Sequence, residues 1–167
     1  TFVPKPHTPF QSRAQLSSEE TLRKQQYLQE ELRGNGLELS WHEVTLSQLE
    51  GILSRGDRRL ALSLEKAVEL GCKFDAWADH FRWDLWQEAL RFAGLKPEDY
   101  TRGRSYEEIL PWEHLSAGVS KEYLITEDRR ADEGKPTPDC RERIDCKACG
   151  VCPVLRTRPT LAGGEKD

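Results

Sequence analysis

Thr45-Leu46-Ser47-Gln48-Leu49-Glu50-Gly51-Ile52-Leu53-Ser54-Arg55-Gly56 is the stretch on which the fold turns. Leu46, Leu49, Ile52 and Leu53 recur at helical spacing, so one face is apolar. Thr45 is a cap, Gln48 completes a capping box and Gly56 is a stop. The same period continues downstream, where Asp57 can cap a helix carrying Leu60, Leu64, Ala67 and Val68 as far as Gly71. A further helix is predicted over Trp83 to Ala93, ended by Gly94-Leu95-Lys96-Pro97. Another begins near Ser120 and carries Tyr123 and Leu124 to Ala131. Upstream, Ser17 and Glu20 form a capping box, and that helix should run to about Arg33 with Leu22, Leu28 and Leu32 on one side and Gly34 as its stop. Four or five helices therefore make up the middle of the chain, and the fold class is mainly α.

One or two short strands are expected beside them. Leu37-Glu38-Leu39-Ser40-Trp41-His42 alternates apolar and polar residues, which reads as a single strand. Thr1 to Val3 reads as a short strand before a proline-rich loop, because Pro4, Pro6 and Pro9 cannot donate to a sheet ladder. A strand at the first residue implies a partner sheet outside this chain. The expected organisation is an opening segment over 1–16, a helical domain over 17–133, a cysteine-rich segment over 134–153 and a flexible tail over 154–167.

Composition narrows the class. The 167 residues include 25 Lys+Arg and 29 Asp+Glu, for a net charge of −4. Hydrophobic residues make up 37% and charged residues 32%, so the core is modest. The charge is uneven: residues 134–167 carry net +2 and the remainder net −6. That local excess is too small for a phosphate-binding tail, and the acidic remainder argues against bulk binding to nucleic acid. No stretch approaches the ~18 apolar residues of a membrane span, and no signal-peptide h-region opens the chain, so a cytoplasmic location is expected. The absence of Met fits either removal of a Met before Thr1 or an excised piece of a larger protein.

The strongest local signal is Cys140-x5-Cys146-x2-Cys149-x2-Cys152-Pro153, four of the five cysteines within thirteen residues. A disulfide framework spreads its cysteines to staple distant elements. Thiolates two residues apart in a tight turn instead converge on one metal, with Gly150 relaxing the backbone between them. Tetrahedral Zn²⁺ takes four thiolates, often as separated CxxC pairs. Iron–sulfur clusters favour a contiguous run with a trailing proline. The contiguous run and Pro153 favour iron–sulfur, while the short intervals keep zinc open. Cys72 follows a helix-ending Gly and is expected to be a small buried residue.

Aromatic residues crowd the connections: Trp41, Trp77, Phe81, Trp83, Trp86, Trp112 and Tyr123. Core packing is their expected role, and a platform for stacking bases or a flat cofactor is the alternative. His42, His80 and His114 are expected to be hydrogen-bonded structural residues. His7 differs, because prolines fix an exposed loop around it, and it is a candidate to face a ligand. HExxH, a Ser/His/Asp arrangement and a glycine-rich phosphate loop are all absent, so no motif supports a hydrolase or kinase.

Several separated stretches, taken in order, carry a resemblance. Phe2-Val3-Pro4-Lys5-Pro6-His7-Thr8-Pro9-Phe10-Gln11 resembles the segment that closes the barrel of radical SAM enzymes, in particular bacterial proteins with an N-terminal cobalamin-binding domain. Leu39-Ser40-Trp41-His42, Arg55-Gly56-Asp57-Arg58-Arg59-Leu60 and Gly71-Cys72-Lys73-Phe74-Asp75-Ala76-Trp77 resemble the post-barrel region of that group. So do Leu110-Pro111-Trp112-Glu113-His114-Leu115, Gly118-Val119-Ser120-Lys121-Glu122-Tyr123-Leu124 and Thr137-Pro138-Asp139-Cys140 through Cys152. The resemblance implies that residues 1–16 are the last strand and loop of a partial (β/α) barrel, with His7 and Pro9 lining its mouth as cofactor-binding residues. It implies a second metal site at Cys140, Cys146, Cys149 and Cys152, which holds an iron–sulfur cluster or Zn²⁺. S-adenosylmethionine and cobalamin would belong to the full-length protein, and the rest of the barrel would be this chain's partner. The CxxxCxxC loop that binds the catalytic 4Fe–4S cluster is missing, so this chain has no catalytic residues of its own and would not cleave S-adenosylmethionine alone. Two other readings stand beside this one. The chain would be a zinc-binding helical module that contacts RNA or a protein partner, or a purely structural dimerisation segment.

Overall fold

In the computed structural model, residues 3–34, 36–140 and 148–157 are described. Seven α-helices span them: α1 (Ser18–Glu31), α2 (Val44–Arg55), α3 (Leu60–Glu69), α4 (Trp83–Phe92), α5 (Pro97–Thr101), α6 (Lys121–Asp132) and α7 (Val151–Leu155). A 3-10 turn covers Pro9–Ser12. The described residues contain no strand, and no helix among them is long and apolar enough to cross a membrane.

Both expected strands are thereby corrected as far as they are described. Thr1 and Phe2 lie outside the described residues, and Val3 to Lys5 form no ladder. Leu37 to His42 is irregular. An alternating pattern becomes a strand only when a neighbouring strand takes its N–H and C=O groups, and among the described residues no strand lies alongside.

The helix starts show where local signals hold and where packing overrides them. Ser17 accepts from the Glu20 N–H at 3.2 Å while Glu20 accepts from the Ser17 N–H, so the capping box of α1 forms. Helix α2 begins one residue before Thr45, with Glu43 in the cap position and no side-chain cap. Val44 is buried there, and Gln48 turns away to donate to the Leu16 carbonyl at 2.9 Å. Asp57 accepts from the Arg59 N–H and guanidinium and gives α3 no side-chain cap. On α1 the buried residue is Thr21, with Leu22 and Leu28 exposed. On α3, Leu60, Ser63 and Ala67 face inward, with Leu64 and Val68 exposed.

The chain divides into two compact units, residues 1–6 with 12–105 and residues 7–11 with 106–167. In the first, α3 packs on α4, α2 on α5 and α1 on α2. One core cluster is Leu49, Ala67, Cys72, Trp86 and Ala89, and the other is Ile52, Leu60, Leu90, Leu95 and Tyr100. Cys72 is buried as expected, and burial pushes its thiol up from the ordinary range. Gly56 owes its place to a close approach: a Cβ there would lie 2.8 Å from the Ile52 carbonyl. In the second unit, Ser120 caps α6 by accepting from the Tyr123 N–H at 3.2 Å. The Tyr106 hydroxyl donates to the buried Asp128 at 2.7 Å.

Two tyrosines therefore separate the cost of burying a hydroxyl from its gain. The Tyr100 hydroxyl is buried without a hydrogen-bond partner among the described residues, and burial pushes its pKa up. Tyr100→Phe is expected to leave stability unchanged or raise it by up to about 1 kcal/mol, whereas Tyr106→Phe should cost about 1.5–3 kcal/mol because a charge-assisted bond is lost. Urea unfolding of both variants measures the contrast, and equal losses refute it.

Candidate metal centre

The cysteine segment is anchored on α6. Gly134, in the left-handed region at φ +64°, turns the chain after α6 into the irregular stretch 135–139. That stretch is tied back to the helix twice: Arg130 donates to the Pro136 carbonyl, and the Thr137 hydroxyl donates to Glu127. These contacts bring Cys140 beside α6. Cys149 reaches the helix from the other direction, its carbonyl accepting from the Ser120 N–H at 2.9 Å.

Gly150, between the last two thiols, sits at φ +87°, and a Cβ added there would lie 3.3 Å from the Gly118 carbonyl. Only glycine satisfies both the backbone conformation and the close approach. Cys152 then falls in the first turn of α7 with Pro153 after it. Proline is harmless there because a helix's first N–H groups have no intrahelical acceptor.

Cys140 and Cys149 line one cavity of about 300 Å³, together with Tyr123, Glu127, Arg130 and Thr137. Cys140 is exposed and Cys149 and Cys152 are half-buried, and all three are free thiols. Cys146 lies outside the described residues. The donor chemistry suits a thiophilic metal, since sulfur is a soft ligand and these thiols are free and accessible. Among the described residues, however, no three His, Cys, Asp or Glu side chains converge closely enough to hold an ion. Sequence reasoning missed Glu127 and Arg130. Their signal was available, because Tyr123, Thr126, Glu127 and Arg130 recur along one face of α6.

His7 and Pro9 are placed apart from the thiols in sequence and in role. His7 holds φ +56° and lines a second cavity of about 200 Å³ with Gln11, Trp112, Glu113 and Lys121. Pro9 opens the 3-10 turn that carries Gln11. Lys121 donates to Glu113 at 2.6 Å, and that ammonium, helped by the Leu110 N–H, holds the carboxyl below its ordinary range.

The aromatic residues divide. Trp86 and Trp112 are buried, and Phe81, Trp83 and Tyr123 are half-buried. Trp41 and Trp77 are exposed, contrary to a uniform packing role. Trp77 meets exposed Phe74 edge-on at 5.9 Å, and Phe74 lies 6.0 Å from His80. His42, His80 and His114 are exposed as well, so none is a core histidine.

Comparison with protein-family models, characterised proteins and solved structures returns no match for this chain.

Proposed function

We propose that this chain is the C-terminal portion of a radical SAM iron–sulfur enzyme of the cobalamin-binding-domain type. The full enzyme would cleave S-adenosylmethionine reductively to modify a substrate by radical chemistry. This piece contributes the barrel-closing segment around His7 and Pro9 and a second metal site. The reading is supported by the ordered likeness across residues 1–153 and by the four-cysteine run. The observation that carries the metal assignment is the shared cavity of Cys140 and Cys149 on α6. A cluster bound there would supply one-electron redox capacity. The chain's own residues hold the thiols: Gly150 allows the turn, Ser120 fixes Cys149, and Glu127 and Arg130 fix the approach to Cys140.

A zinc-binding module that contacts RNA or a protein is the second reading, favoured by the exposed Phe74, Trp77 and His80. Anaerobic purification with iron, sulfide and zinc analysis separates the two. The iron–sulfur reading expects iron and acid-labile sulfide with a broad absorption near ~400 nm, lost in Cys149→Ser with Cys152→Ser. One zinc per chain, with no visible absorption, supports the second reading, since Zn²⁺ has no redox chemistry. A chain free of metal under oxygen-free, reducing conditions overturns both.

A further inference from the structure

We propose that the cavity containing His7, Glu113 and Lys121 binds a small zwitterion, namely an α-amino acid with an aliphatic side chain. Every residue lining it belongs to one compact unit, so the site is complete within residues 7–11 and 106–124. The proposal is independent of the iron–sulfur reading, and either can fail without the other.

Three observations converge. First, His7 is a non-glycine residue held in the left-handed region, a strained conformation that persists only where its surroundings enforce it. The enforcing group is the buried Gln11, whose Oε1 accepts from the His7 N–H at 3.0 Å and from the Trp112 indole N–H at 2.8 Å. One amide oxygen thus fixes two parts of the cavity lining.

Second, Lys121 and Glu113 place opposite charges 2.6 Å apart on that lining, and the Leu110 N–H holds the other Glu113 oxygen at 3.0 Å. A pair this exposed contributes little to folding. Its charges match a head group that carries both signs, the ligand's ammonium on Glu113 and its carboxylate on Lys121. A phosphate would gain from Lys121 and be repelled by Glu113, and a simple cation would face the reverse.

Third, the remaining lining is mainly aliphatic, from Leu110, Leu115, Val119 and Leu124, and its one further polar side chain, Ser116, accepts from the Gly118 N–H. A cavity of about 200 Å³ corresponds to roughly seven waters by their share of liquid volume, which suits a ligand the size of valine or leucine.

The test is a nitrogen-15 NMR titration of the whole 167-residue chain with L-leucine, following the Trp112 indole and Leu110 amide signals. Saturable shifts are expected with a dissociation constant of about 1 mM. Leucinamide, which lacks the carboxylate, and isocaproate, which lacks the ammonium, should each bind at least about tenfold more weakly. Lys121→Gln and Glu113→Gln should weaken leucine by a similar factor, since both side chains lie at the surface and can be replaced without opening the core. Should either variant unfold, Leu115→Trp decides instead: Leu115 is 58% exposed, and the larger ring fills the cavity and should abolish the shifts. Absence of saturable shifts up to about 50 mM leucine overturns the proposal. So does equal binding of leucine, leucinamide and isocaproate, or binding that survives Leu115→Trp.

Discussion

Replacing Arg55 with alanine is expected to lower folding stability by about 3–5 kcal/mol, one of the two largest losses for any single change in this chain. Arg55 ends α2 and is fully buried. Its guanidinium donates to the Thr101 carbonyl at 3.3 Å and the Arg102 carbonyl at 3.0 Å, at the C-terminal end of α5. Those carbonyls belong to a helix end that has no further intrahelical donors. In return Arg104 donates to the Arg55 carbonyl at 3.0 Å, so α2 and the end of α5 are latched in both directions. Alanine removes both charge-assisted bonds, at about 1.5–3 kcal/mol each, and the packed stem, while the Thr101 carbonyl keeps only the Gln15 N–H at 2.8 Å. Arg55→Lys should recover part of the loss, because one ammonium cannot reproduce the planar fork that spans both carbonyls. Urea unfolding measures both variants. An alanine variant within about 1 kcal/mol of the parent would show that the latch is incidental.

Trp86→Ala should cost about 3–5 kcal/mol by the transfer and cavity terms of a large core truncation. Trp86 packs with Leu49, Ala67, Cys72 and Ala89, the cluster that joins α2, α3 and α4. Trp86→Phe is the informative companion. The indole N–H is buried without a partner among the described residues, so phenylalanine loses area and also removes an unsatisfied donor. The two effects oppose each other, and a net loss below about 1.5 kcal/mol is expected. A phenylalanine variant as damaged as the alanine one would mean that the indole N–H is satisfied in solution, by water or by another group.

The candidate site was legible in part. The thiol spacing and Gly150 between the thiols were visible as a pattern, and the positive φ of Gly150 agrees with that reading of its role. What a linear pattern omits is the surface the thiols rest on. Glu127 and Arg130 hold residues 136–138 against α6, and those are contacts between side chains and a stretch with no periodicity of its own. The second cavity was hidden for the same reason. Gln11 and Trp112 are joined by a buried hydrogen bond across 101 positions of sequence, which no local motif encodes.

By itself the sequence determined the helical class, the cap at Ser17, the helix start near Ser120 and the breaks at Gly71 and Gly94, because those depend on neighbours within one turn. Only the tertiary structure decided which leucines are buried, where α2 starts and what becomes of Leu37 to His42. An apolar stripe names a face but not its partner, and a strand needs a second strand before its pattern has meaning. Burial is settled by what packs opposite: Val44 draws the start of α2 inward, and the small side chains of Ser63 and Ala67 let α3 and α4 approach while Leu64 and Val68 remain outside.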